Sequence, residues 1–163
     1  VAAAAGLTAG SMAIKEAAVP AIIGIAVLVS TRTRFPLIRT LLYNEKVLNV
    51  DLVNNRLQER GLQAIFEQRL LKATYFLAGT FFFSSSMNYV LAKWIVRSPA
   101  GSQAFNEELG RMTLVSYPMI ALPSMVMMIL ILVYLWRTIH GLTGLAMEEI
   151  VAQPPDKKKP EGS

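Results

Sequence analysis

Residues 75–94 and 117–136 form two apolar runs of equal length, each opened by a tyrosine (Tyr75, Tyr117) and closed by a tryptophan (Trp94, Trp136). The sole charge in either run is Lys93, beside the first closing tryptophan. Nineteen helical steps of about 1.5 Å span roughly 28 Å, close to the hydrocarbon thickness of a bilayer, and rings with one polar edge favour its two interfaces. As buried helices of a soluble domain, the runs would have to hide Phe81, Phe82, Phe83 and most of 125–136 on every side, more than a 163-residue core provides. The chain therefore reads as an all-α integral membrane protein, and 53% hydrophobic residues with a mean hydropathy of +0.43 agree.

A third span is expected over 17–31, where Val19, Ile22, Ile23, Ile25, Val27, Leu28 and Val29 precede Arg32 and Arg34. Its strictly apolar stretch is short, so it needs flanking residues or neighbouring helices to cross a bilayer. Before it, 1–16 is an Ala/Gly-rich segment; a break near Lys15 is expected, since one unbroken helix would carry Lys15 and Glu16 into the membrane. Pro20 suits the first turn of a helix that starts after such a break. The remaining boundaries are basic amphipathic helices over 32–72, a span over 73–96, a loop over 97–111, a span over 112–137, an interfacial helix over 138–152 and a disordered basic tail over 153–163. Absence of an initiating methionine and of a basic leader suggests processing, truncation or earlier residues that the sequence does not include.

Charge orients these spans. Of the sixteen Lys and Arg, eight lie within 31–72 and four follow the last span, against Lys93, Arg97 and Arg111 around the connection between the long runs. By the positive-inside rule 32–72 and the C-terminus face the cytoplasm and 97–111 faces outward. The net charge of +5 thus reads as topology, with no nucleic-acid partner implied. Within 32–72, Leu37, Ile38, Leu41 and Leu42 share one side of a short helix, Val50, Val53 and Leu57 repeat the spacing, and Gly61 provides a stop. With the apolar side on the membrane, Arg32, Arg34, Arg39, Arg56 and Arg60 are candidates for anionic lipid headgroups.

Chemistry-bearing residues are sparse. Thr80, Ser84 and Asn88 fall at i, i+4 and i+8, a polar stripe down one helix face with Ser85 beside it. Such a stripe either hydrogen-bonds neighbouring helices, the commoner use, or lines a hydrated path. Pro118 and Pro123 put a bend into the start of the last span. The methionines of 125–128 read as adaptable packing. His140, the lone histidine in a chain without cysteine, has no companion for a metal and suits a helix end or a headgroup. Neither 73–92 nor 112–136 holds an ionisable Asp, Glu, Lys, Arg or His, so no proton relay runs through them. No nucleophile–base arrangement, phosphate-cradling glycine loop or zinc motif is present; no catalytic residue, metal or cofactor is expected.

The stretch Val29-Ser30 through Phe35-Pro36-Leu37-Ile38-Arg39, then Gln68-Arg69-Leu70 running into an aromatic span that ends Met87-Asn88-Tyr89-Val90-Leu91-Ala92, resembles the bacterial intracellular septation protein A family of inner-membrane-spanning proteins. Phe105-Asn106-Glu107-Glu108-Leu109-Gly110, Ser116-Tyr117-Pro118 and Leu142-Thr143-Gly144-Leu145 bring it nearer that family's uncharacterised relative branch. The likeness covers roughly 15–150, and the charged insert 44–63 departs from the family's compact pattern. The resemblance implies a polytopic helical protein with more spans than this chain holds, and hence that this chain is the C-terminal part of a larger bundle.

The expectation for function is a non-enzymatic protein of the bacterial inner membrane, multi-pass with a cytoplasmic C-terminus. It would act as an envelope-organising scaffold or as an accessory subunit of a membrane complex. Its partners would be anionic membrane lipids and other transmembrane helices, in a homo-oligomer or a larger assembly. The competing expectation is a small channel or uncoupled transporter that uses the Thr80, Ser84 and Asn88 stripe.

Overall fold

The computed structural model describes residues 2–33 and 36–151, with side chains from Gly10 onward. Arg34 and the tail 153–163 lie outside the described residues. Among those described the fold is helical: α1 (Ala2–Ser30), α2 (Leu37–Leu41), α3 (Val50–Glu59), α4 (Gln63–Ile95), α5 (Gln103–Ser116), a π turn (Tyr117–Ala121), α6 (Leu122–Thr143) and α7 (Met147–Ile150). The one extended pairing among them is an isolated antiparallel bridge between Leu48 and Val151.

The expected break near Lys15 does not occur, and α1 is a single helix of 29 residues with Pro20 inside it. Alanine-rich sequence favours the helix before Pro20, and β-branched apolar residues continue it afterwards. Proline cannot donate to the Glu16 carbonyl one turn back. At the next carbonyl, Ala17, the Ser85 hydroxyl of α4 donates a 2.8 Å bond, which ties the proline turn to its neighbour.

α4 is the central element. α1 packs against it antiparallel: Ala13 is buried with Ala92 and Val96, the Ser85–Ala17 bond follows, and Gly24 sits against Phe81 and Phe82. A Cβ on Gly24 would lie 3.3 Å from Phe81 Cβ and from the Phe82 ring, so the absent side chain permits this approach. α6 packs antiparallel on another face of α4, with Ser124 opposite Ser84 and Tyr134 edge-on to Phe76. No described Cα of α1 comes within 8 Å of one in α6, so the backbones of the two helices that flank α4 stay apart.

The connection expected as a loop over 97–111 is mostly helix. Ser102 caps α5 by accepting the Phe105 N–H at 3.1 Å, and Met112, with Phe105 and Leu109, packs on Ile95, Ala92 and Val96. The Glu108 carboxylate accepts the N–H groups of Arg97 and Ser98 at 2.7 and 2.8 Å and the Ser98 hydroxyl at 2.9 Å, which binds the turn 97–102 to α5. α5 continues into α6 through the π turn. Pro118 lies within it and Pro123 two residues beyond it, each removing one i→i−4 bond from the helix at this point.

At the end where α1 and α6 finish and α4 begins, the chain builds a compact cap. Ile38, Tyr43, Val53, Leu57 and Ile150 are buried against Phe66, Leu70, Ala73 and Leu77 of α4 and Ile131, Leu135, Ile139 and Leu142 of α6. This corrects the expectation that the 32–72 helices lie with their apolar side on lipid, because most of that side faces protein, with Leu41 left exposed. It also explains why α4 starts ten residues before the span boundary at 73 and why α6 runs past 137: both helix ends are cap core.

Two helices are long and apolar enough to cross a membrane by length and composition, Gly10–Ser30 and Gln103–Thr143. α4 is not among them, since Ser84, Ser85, Ser86 and Asn88 dilute its apolar stretch. Large apolar residues stand exposed along all three long helices, among them Ile14, Val19, Ile22 and Ile25 of α1, Phe76 and Val90 of α4, and Met125, Val126, Ile129 and Leu130 of α6.

Candidate functional site

Adjacent serines on the central helix set the geometry. Successive helical residues point about 100° apart. Ser84 directs its hydroxyl to the Ser124 hydroxyl of α6 at 3.1 Å, while Ser85 directs its own to Ala17 of α1. The two flanking helices therefore sit on neighbouring faces of α4, and since their backbones stay apart, they leave a notch between them. Asn88 lies four residues from Ser84 and three from Ser85, so helical geometry aims it between those two directions, into the notch. Its half-buried amide makes no hydrogen bond to another described residue.

The polar stripe is thus divided among separate tasks. The Thr80 hydroxyl is buried and donates to the Phe76 carbonyl of its own helix at 3.2 Å. Ser84 and Ser85 fasten α6 and α1, and Asn88 alone remains unbonded. On the opposite side of the α4–α6 seam, an apolar cleft of about 440 Å³ opens between Phe76, Gly79, Met127, Leu130 and Tyr134. Thr80 reaches that cleft, but with its hydroxyl already bonded within the helix.

The aromatic residues at the ends of the runs fall into two levels because α4 and α6 are antiparallel. Tyr75 and Trp136 mark the cap end; Trp94 and Tyr117 mark the α5 end. Tyr75, Trp94 and Tyr117 are well exposed, whereas Trp136 is half-buried and stacks on the His140 ring at 5.7 Å. Trp136 Nε1 is the one buried side-chain polar atom with no hydrogen-bond partner among the described residues. The same antiparallel register places Lys15 and Glu16 beside the turn of α4 that carries Asn88, since Ala17 meets Ser85 and Ala13 meets Ala92.

The candidate headgroup arginines divide differently from the expectation. Arg39 forms an ion pair with Glu67 and stands 5.8 Å from the Tyr43 ring centre; Arg56 pairs with Glu59 at 3.4 Å. Arg60 donates to the Leu142 carbonyl at 3.1 Å, and its guanidinium lies where a side chain on Gly144 would project. It is a cap for the C-terminus of α6, where free carbonyls and the negative end of the helix dipole favour a cation. Around it Gly144, at φ +71°, donates to the His140 carbonyl, Thr143 to the Ile139 carbonyl, and His140 Nδ1 to the Leu145 carbonyl at 2.7 Å. Arg32 is exposed, with no hydrogen bond or ion pair to another described side chain.

Tyr43 is the cap's buried polar anchor. Its hydroxyl donates to Asn54 Oδ1 at 2.9 Å and its ring packs on Phe66 at 5.1 Å. Burial pushes the phenol up to about 12 from its ordinary 10, which keeps it protonated and able to donate. The apolar spacing within 32–72 carried no sign of this residue's role; the signal available was a tyrosine one position past the short run 37–42.

Comparison with protein-family models, with curated proteins and with solved structures finds no match for this chain.

Proposed function

We propose that this chain is a non-enzymatic, three-span protein of a bacterial inner membrane, working as a scaffold or accessory subunit whose notch receives a helix from a partner. The observation that carries this reading is the unbonded, half-buried Asn88 amide between two helices whose backbones stay apart. Inside a bilayer an amide without water must find a partner, and a helix seated between α1 and α6 supplies one. α4 is read as the third span because it lies between the two apolar helices at the same depth, with its Ser84 and Ser85 hydroxyls bonded to them. Lys15 then sits roughly 8 Å below the level of Trp94, within reach of the interface for a lysine stem.

The cap bears Arg32, Lys46, Arg56, Arg69 and Lys72, which supports a cytoplasmic position for that end and, with it, for the C-terminus. The channel alternative finds less support. A route needs a continuous lining, whereas the stripe divides between an intrahelical bond, two helix-to-helix bonds and one unbonded amide. The resemblance to the septation protein A family favours the envelope-organising form of the scaffold and rests on the quoted motifs alone.

The test is the mass of the particle extracted in mild detergent, before and after Asn88→Leu, with solute flux measured in reconstituted vesicles. A partner or second copy lost on substitution, with no flux in either case, is the expected result. A saturable flux abolished by Ser84→Leu or Asn88→Leu would make the transporter reading the better one.

A further inference from the structure

At the α5 end, a cleft of about 570 Å³ opens beside Trp94, bounded by Arg97, Glu108, Arg111, Val115 and Met119. Its two halves differ in chemistry. Val115 and Met119 form an apolar wall descending along the helix that continues into α6, past Tyr117. Arg97 and Arg111 stand above, on the far side of Trp94 from the notch.

The positive charge here is only partly compensated: Glu108 lines the cleft beside Arg97, which leaves one of the two arginine charges in excess. The ion pairs found among the described residues are Arg39–Glu67 and Arg56–Glu59, neither of them at this end. Glu108, the adjacent carboxylate, is turned to the backbone N–H groups of Arg97 and Ser98 and to the Ser98 hydroxyl. Arg97 Nε donates to the Trp94 carbonyl at 3.1 Å, and its terminal nitrogens make no hydrogen bond to another described residue. Arg111 has no hydrogen bond or ion pair to another described residue. The Arg111 guanidinium and the terminal nitrogens of Arg97 over an apolar groove, at the level of an exposed tryptophan, match a ligand with an anionic head and an apolar tail.

We infer that this cleft binds one anionic phospholipid of the leaflet on the α5 side, its phosphate between Arg97 and Arg111 and an acyl chain along Val115 and Met119. The inference rests on the membrane reading above. A free phosphate would use the guanidiniums but leave the apolar wall without a function, so the occupant is the lipid.

The full chain in dodecyl maltoside is titrated with phosphatidylglycerol and followed by native mass spectrometry. One tightly held lipid is expected, with affinity lowered about tenfold or more by Arg97→Gln combined with Arg111→Gln, and unchanged by Arg56→Gln at the opposite end. Arg111 is exposed and Arg111→Gln removes no hydrogen bond or ion pair to another described residue, and an unchanged thermal midpoint of that variant separates weaker binding from misfolding. Excess inorganic phosphate is expected to leave the lipid in place. Equal affinity in wild type and the double variant overturns the inference, and so does displacement by inorganic phosphate alone. Alkaline extraction of membranes separates the two readings: protein that extracts as soluble defeats the membrane reading, whereas an integral protein indifferent to both substitutions defeats the lipid site only.

Discussion

Arg60 links two parts of the chain 82 residues apart, and replacing it distinguishes a helix cap from a lipid ligand. Arg60→Met keeps most of the stem and removes the guanidinium that donates to Leu142 at 3.1 Å. A charge-assisted hydrogen bond contributes about 1.5–3 kcal/mol when buried. Arg60 is exposed overall, so screening reduces this to about 1 kcal/mol, with a further few tenths from the lost cation at the α6 terminus. For a chain of this size, 1 kcal/mol lowers the thermal midpoint by about 2–4 °C. The assay is thermal unfolding in detergent, with amide exchange at Gly144 and Leu145 reporting local opening of the α6 end. Arg60→Lys should recover part of the loss, since an ammonium still meets the carbonyls but presents no fork. An unchanged midpoint and unchanged exchange, together with weaker binding to anionic vesicles, would refute the cap role and restore the headgroup one.

Three further perturbations follow from the packing. The Tyr43 phenol is raised to about 12, so the stability it contributes is complete below pH 10 and is lost as pH climbs from 10 through 12; Tyr43→Phe should flatten this part of the stability curve, read alongside absorbance titration near 295 nm. Gly24→Leu drives a side chain into Phe81 and Phe82 and should destabilise by about 1–3 kcal/mol, while a Ser84→Cys, Ser124→Cys pair still cross-links α4 to α6; an unchanged midpoint would contradict the close approach. Single cysteines at Ser102 and Ser163, in a chain that has none of its own, should label from opposite sides of intact membranes, and labelling of both from one side would reverse the topology.

Much of the local structure was legible because its signals are local. Gly61 stops α3 as its position implies, at φ +65° with Leu62 donating to Leu57; on the expected apolar sides Ile38, Val53 and Leu57 are buried and Leu37, Leu42 and Val50 partly so, while Leu41 stays exposed. Periodicity identifies such a side but not what covers it, which is why lipid was expected where α4 and α6 lie. The helical part of the expected 97–111 loop, 103–111, has a local signal in Ser102, three residues before Phe105, which caps it. The unbroken α1 was missed because Pro20 and Lys15 were weighed without the neighbour whose Ser85 ties the proline turn. Of the candidate site, the spacing of Thr80, Ser84 and Asn88 was visible, but their division into separate bonds was not. That division depends on Ser84 and Ser85 facing two different helices, a long-range fact. Arg60 was misassigned for the same reason.

The central claim is that a helix from outside this chain occupies the notch at Asn88. A photo-reactive amino acid placed at position 88, activated in native membranes and followed by mass spectrometry of the adducts, reads the occupant directly. The account predicts a covalent bond to a hydrophobic helical segment of another protein or of a second copy. Adducts with lipid alone, or with residues of α1 and α6 in the same chain, would contradict it.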